Sequence, residues 1–480
     1  MRSIKGGIPQ ITGNEKEVNK ALQKNGDFYA PLSAVNFNNV ESSFGIALHM
    51  HQPTIPASDQ NIAEADLISN LQHMMENQHI HDNHNAPVFL QCYSRMSDII
   101  RGLVDSGKNP RVMLDYSGNL FWGLKQMGEE KVLDNLKRIA NDKKYYPCVE
   151  WLGTMWSHAV VSSTPIPDIK LHIRAWQEHF ASIFGYDALS RVKGFSPPEM
   201  HLPIHPDVCY EYVKALKECG YEWFMVQEHT VENLDGSGIQ RPFFPHRLLA
   251  KNSAGDEIDM TVLIKTKGSD TKLVGQMQPY YEALTKKRES YAGKSMPPYV
   301  LQIGDGENGG VMMNEFPQAY RQAFDRIGRD GVISLNGTEY LEFLRKDGID
   351  FNLFTPIQPV SQHRIWNAMD KHGKGACDKA IEKVKKKDSG FNLDKASWTS
   401  DKNWVRGYSD VLDPINRLSA KFHEYFDEKN IDPADDHYKN SLLYLLLSQT
   451  SCFRYWGSGV WTDYAKEICK RGLEEVTDKR

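Results

Sequence analysis

The sequence predicts an α/β protein, a β/α barrel with a helical appendage, and three observations carry that expectation. From Phe44 onward, short apolar segments alternate with amphipathic ones, the pattern of repeated β-α units around a largely parallel sheet. After about residue 345 the character changes to long amphipathic segments such as NRLSAKFHEYFDEK and WTDYAKEICKRGLEEV, with few β-branched alternations. Polar clusters directly follow several apolar segments, where parallel barrels collect side chains from many strands into one pocket.

Eight segments read as strands: FGIALHM, RVMLDYS, CVEWLG, VKGFS, EWFMVQ, IDMTVLIK, PYVLQIG and GVISLN. They fit an eight-stranded barrel or an incomplete one. Helical signals fill the intervals. His205-Pro206-Asp207, for example, opens an apolar periodic run that Gly220 closes, with Pro early and Gly late. The expected organisation is an extension over 1–40, polar and of unreadable purpose, a catalytic barrel over 41–345 and a helical domain over 346–480 that contributes to the cleft.

Composition narrows the function. With 40% hydrophobic and 25% charged residues, a disordered or collagen-like chain is excluded. A net charge of -5 supplies no electrostatic reason for nucleic acid or an anionic membrane as partner. The seven cysteines form no CxxC pair, so neither a zinc knuckle nor a disulfide framework is indicated. The first twenty residues lack the apolar core of a secretory signal, and the apolar run SLLYLLL is too short to span a bilayer. These features read as a cytoplasmic protein. The lysine-rich KAIEKVKKKD reads as a solvated helix face.

Four motifs carry candidate chemistry. In GFSPPEMHLP two prolines stiffen the backbone before Glu199, a fixed, non-helical presentation of one carboxylate. In LQIGDGENGG an apolar strand ends in Asp305-Gly306-Glu307, and alternation directs both carboxylates to one side, where each raises the other's pKa. LHMHQP places His49, His51 and Gln52 at the first strand's end, suited to hydrogen-bonding sugar hydroxyls without added charge. CVEWLGTMWSH gathers Glu150, Trp151, Trp156 and His158, which reads either as sugar-stacking and hydroxyl-binding groups or as core.

The order HQP, EWLG, GFSPPE, DGE resembles glycoside hydrolase family 57 from Phe44 to about residue 345, and TSCFRYWGSGVWTDY resembles the family's C-terminal aromatic segment. The resemblance implies an incomplete (β/α)7 TIM-like barrel followed by a C-terminal α-helical domain. It implies Glu199 as nucleophile and Asp305 as general acid/base, with His51 and Glu150 lining the subsite of the sugar under attack. Gln52, Trp151, Trp156, His158, Glu307, Trp456 and Trp461 complete the expected substrate-binding set. The implied chemistry is retaining cleavage of an α-linked glucan or maltooligosaccharide, α-amylase-like, with glucanotransferase or branching activity on the same site as alternatives. No cofactor or metal is expected. Ser196 and Asn308-Gly309-Gly310 depart from the family's bulkier residues and leave the exact substrate open.

Two other classes compete. His201 and His205 form an H-x-x-x-H pair beside Glu199 that suggests a metal-dependent deacetylase or mannosidase-like hydrolase, although the prolines around it argue against a regular helix presenting both rings. The cluster HIHDNHN, with His79, His81 and His84, reads as a polar loop. A glucan-binding protein without turnover is the non-enzymatic alternative, opposed by the presence of both carboxylates.

Overall fold

The computed structural model describes all residues except 1–3, 5, 25, 59–60, 267–273, 308–314, 329, 394–408, 456–458 and 479–480. Seven strands form a parallel ring in chain order: β1 (Ser42–Met50), β2 (Val112–Tyr116), β3 (Val149–Trp151), β4 (Gly194–Phe195), β5 (Trp223–Gln227), β6 (Glu257–Lys265) and β7 (Tyr299–Asp305). Ser43 to His49 of β1 pair in register with Tyr299 to Asp305 of β7, which brings the last strand back to the first. Two joints are thin: β6 meets β7 only at Lys265 and Leu301, and β3 meets β4 through the single bridge Gly153–Phe195. The fold is therefore the incomplete (β/α)7 barrel that the sequence resemblance implied, followed by a helical C-terminal region. The eighth apolar segment forms β8 (Val332–Ser334), which pairs with Ser42 to Phe44 of β1 on the edge that β2 occupies nearer the other end.

Alternation along the strands sorts the core into two layers. Ala47, Met113, Leu152, Met225, Leu263, Leu301 and Ile303 share one buried cluster in the barrel interior. Their neighbours Leu48, Leu114, Trp151, Val226, Ile264 and Val300 belong to a second, under the surrounding helices. Continuing the inward parity by two residues predicts the mouth: His49 after Ala47, Asp115 after Met113, Asp305 after Ile303.

The opposite end of the barrel is plugged by a helix, Gly337–Lys346, whose first turn enters beneath Trp223. Trp223 Nε1 donates to Thr338 Oγ1 at 2.9 Å. Glu339 takes a bidentate bond from Arg111, at 2.6 and 2.8 Å, with both side chains at most 2% exposed. Glu342 accepts the backbone N–H groups of Phe28, Tyr29 and Ala30 at 2.6 to 2.8 Å, so the N-terminal residues are tied under the barrel.

The helices Ser409–Phe426, Asp436–Ser448 and Val460–Thr477 pack together. The apolar run SLLYLLL lies in the middle one, where every residue from Ser441 to Leu447 is buried, as expected of a helix apolar on all sides. Among the described residues no helix is long and apolar enough to cross a membrane. KAIEKVKKKD falls largely on the helix Lys374–Lys387, which buries Cys377, Ala380, Ile381 and Val384 and turns its lysines outward.

Candidate active site

The register of β1 with its two neighbours creates the centre of the site. His49 lies opposite Asp305 on one side and opposite Asp115 on the other. In-register neighbours of a parallel sheet point the same way, so one imidazole stands between two carboxyl groups. His49 Nδ1 is 3.0 Å from Asp115 Oδ2. Burial pushes His49 down, but Asp115, then Glu307 and Asp305, outweigh it and raise the pKa to about 10, so His49 is an imidazolium at neutral pH.

Two neutral imidazoles cover this cation. His158 stacks on His49 at 4.2 Å between centroids and on His51 at 4.6 Å. Burial, then the charge of His49, hold both His51 and His158 well below the usual imidazole range. His51 Nδ1 meets Ser117 Oγ at 2.8 Å, and its backbone N–H donates to Glu307 at 3.1 Å. Burial is the main cause that brings Glu307 up to about 8, with His49 opposing and Asp305 adding to it. Asp305, half-buried, is also raised by burial against the pull of His49. Between them, Gly306 leaves room for the end of the Met50 side chain, which a Cβ there would displace.

Glu199 reaches the same cluster from β4. Ser196 N–H donates to Gly153 O at 2.8 Å, which pins the strand end, and Pro197 and Pro198 carry the chain into a short turn. There Glu199 and Met200 both take left-handed backbone angles, φ 57° and 50°. Such angles cost a non-glycine residue about 1 kcal/mol or more each and concentrate at functional sites. They direct Met200 into the core, at 2% exposure, and leave the Glu199 carboxylate 17% exposed with Oε1 3.7 Å from His158 Nδ1. His158 is itself left-handed, φ 59°.

The helical region closes one side. Ser451 Oγ lies 2.8 Å from His158 Nδ1, Thr450 Oγ1 3.3 Å from His51 Nε2, and Cys452 Sγ 3.6 Å from the same nitrogen. Burial, then the charge of Glu199, pushes the Cys452 thiol up to about 12.

The expected residues divide. Glu199, Asp305, His51, His158 and Glu307 gather at the mouth, joined by His49, Asp115 and Ser117. Gln52 flanks them, only 6% exposed, with Oε1 accepting from Asn70. Glu150, Trp151 and Trp156 stand elsewhere. Glu150 shares the inward parity of Leu152 but lies nearer the plugged end, wholly buried, accepting from Thr338 N–H at 3.0 Å and from its hydroxyl. Trp151, one residue on, faces outward, 5.4 Å from the ring of Tyr116 and 5.0 Å from Phe184. Trp156 is wholly buried and donates to His179 Nδ1 at 3.1 Å. Neither indole offers a face to a sugar. Trp461 is half-buried against Phe453 and Tyr464, and Trp456 lies outside the described residues.

The H-x-x-x-H pair separates: His205 caps the helix Pro206–Glu218 by accepting from Asp207 N–H, while His201 is wholly buried. His79, His81 and His84 are exposed. Among the described residues no group of three His, Cys, Asp or Glu is arranged to hold a metal ion.

Glu150 gives a stability prediction. Burial is the main cause raising its pKa from 4.5 to about 8, against its two bonds from Thr338. Between those values the folded state keeps a proton that the unfolded state has released, so this contribution is complete below about pH 4.5 and is lost as pH rises through 8. Glu150→Gln removes the ionisation. In thermal denaturation from pH 5 to 8.5 the variant should lose less melting temperature than the parent, and equal losses would show that Glu150 does not titrate in this window.

Residues 45–263 match the family model described as Glycosyl hydrolase family 57. Comparison of the sequence with curated proteins gives no match. Among solved structures the chain is similar to a 4-α-glucanotransferase from Thermococcus litoralis, at TM-score 0.55 and 16% identity over 91% of this chain and 58% of that one. It is similar to a branching enzyme from Pyrococcus horikoshii, at TM-score 0.50 and 12% identity over 91% and 88% of the two chains. An α-amylase from Thermotoga maritima matches at TM-score 0.50 and 9% identity, over 91% and 93%. At these identities the structural likeness establishes the fold, and the present chain spans less than two thirds of the first of the three.

Proposed function

From the match of residues 45–263 to the glycosyl hydrolase family 57 model, we propose that the protein cleaves α-linked glucan with retention, Glu199 acting as nucleophile and Asp305 as general acid/base. The observation that carries the reading is the imidazole stack: His158 contacts Glu199 on one side and His49 on the other, and His49 stands in register with Asp305. One cluster thus links both carboxylates at a barrel mouth that collects polar groups from β1, β2, β4 and β7.

In the proposed reaction the Glu199 carboxylate attacks the anomeric carbon while the Asp305 carboxyl gives its proton to the departing glycosidic oxygen. Asp305 then takes a proton from the acceptor as it attacks the glycosyl-Glu199 ester. The raised pKa of Asp305 suits the first role, since a general acid must hold its proton at the working pH. The fixed His49 cation stabilises Asp305 once its proton has left.

A water acceptor gives α-amylase-like hydrolysis, and a sugar hydroxyl gives transfer on the same constellation. Incubation with maltoheptaose and with amylose, followed by size and linkage analysis, separates the outcomes. Shorter products alone are expected. A ladder of longer chains would make the protein a glucanotransferase, new α-1,6 linkages a branching enzyme, and no conversion of either glucan would overturn the substrate assignment.

A further inference from the structure

A second polar chain runs behind the site. Asp168, in the first turn of the helix Ile166–Phe184, is wholly buried. Its Oδ2 accepts from Gln449 Nε2 at 2.6 Å and its Oδ1 lies 2.6 Å from His423 Nε2. The other ring nitrogen of His423 is 2.6 Å from Asp427, so the imidazole sits between two carboxylates with both nitrogens donating. With its Nε2 committed to Asp168, Gln449 must turn Oε1 the other way, where it accepts from His172 Nε2 at 2.8 Å. His172 Nδ1 then faces Ser157 Oγ at 3.4 Å.

Two members of this chain, Gln449 and Ser157, are sequence neighbours of the site. Gln449 precedes Thr450, Ser451 and Cys452, whose side chains touch His51 and His158. Ser157 precedes His158. A backbone bridge between Ala159 and Thr450, with Ser451 N–H donating to His158 O at 3.2 Å, holds the two segments together.

We propose that Asp168 is a positioning residue: by fixing the orientation of the Gln449 amide it sets the segment Gln449–Cys452 against His158 and His51, and so fixes the imidazole that meets Glu199. The proposal rests on the glycosidase reading for its kinetic readout. Displacing a group that orients the nucleophile by a fraction of an ångström misaligns the reacting pair without removing a contact to substrate, which lowers kcat more than it changes KM.

The experiment uses the full chain with Asp168→Asn, Gln449→Leu, Ser451→Ala and the Asp168→Asn/Ser451→Ala double variant, assayed on maltoheptaose. Asp168→Asn should lower kcat by ~10-fold to ~100-fold with KM within about threefold, and Gln449→Leu should reproduce it. If Asp168 acts through the Ser451 contact, the double variant should be no slower than the slower single one. Losses that multiply, or a lower melting temperature with kcat intact, would reduce Asp168 to a tie between helices and overturn the proposal. Histidine-selective NMR reads the placement without substrate. His158 ring resonances should shift in Asp168→Asn and in Gln449→Leu, and unmoved resonances would overturn the proposal whatever the turnover. An inactive parent chain whose His158 resonances do respond would instead count against the glycosidase reading alone.

Discussion

Glu199→Gln is expected to lower turnover of a maltooligosaccharide by about 10,000-fold or more while leaving its dissociation constant within about threefold. The amide has nearly the shape of the carboxylate, so the left-handed turn behind Pro197 and Pro198 and the approach to His158 survive. What is lost is the electron pair that forms the glycosyl ester. Single-turnover kinetics paired with binding measurements on the same variant check the split. Retained turnover would remove Glu199 from the nucleophile's role, and lost binding would show that the substitution disturbed the cleft.

Arg111→Ala is expected to cost about 3 to 5 kcal/mol of folding stability. Arg111 immediately precedes β2 and is the bidentate partner of Glu339, whose carboxylate is wholly buried at the start of the plugging helix. Removing the guanidinium leaves that charge without its cation, which is the costly way to break a buried pair. Arg111→Met combined with Glu339→Gln should recover much of the loss, because the amide still accepts from Asn336 N–H, 3.3 Å away, and no charge is stranded. Denaturant unfolding of parent, single and double variants checks this. A single-variant loss under about 1 kcal/mol would mean that water or another group reaches Glu339.

Period-two alternation explains what the sequence revealed and what it hid. His49 and Asp305 were legible because each ends an unmistakable apolar strand, and the end of a barrel strand is where a polar side chain meets the mouth. Their pairing across the sheet was not legible, since register is a tertiary property, and neither was the role of Asp115 within RVMLDYS. Glu150 misled because β3 is only three residues long, so its carboxylate sits within the barrel rather than at its rim. Once Glu150 faces inward, Trp151 must face the helices, and the EWLG motif cannot present both to substrate.

Eight apolar segments gave a seven-strand ring because GVISLN meets only the first three residues of β1, on the edge that β2 occupies further along. The contacts of Thr450, Ser451 and Cys452 with His51 and His158 span some three hundred residues or more of sequence and carried no local signal beyond the position of TSC at the head of the aromatic segment.

The central claim is a covalent glycosyl ester on Glu199. The most direct measurement is mass spectrometry of the parent enzyme quenched during turnover of a 5-fluoro-α-glucosyl fluoride, followed by peptide mapping. An adduct is expected on the peptide carrying Gly194 to Met200, located at Glu199. An adduct on a different carboxylate, or turnover of natural glucan with inversion and no adduct at all, would contradict it.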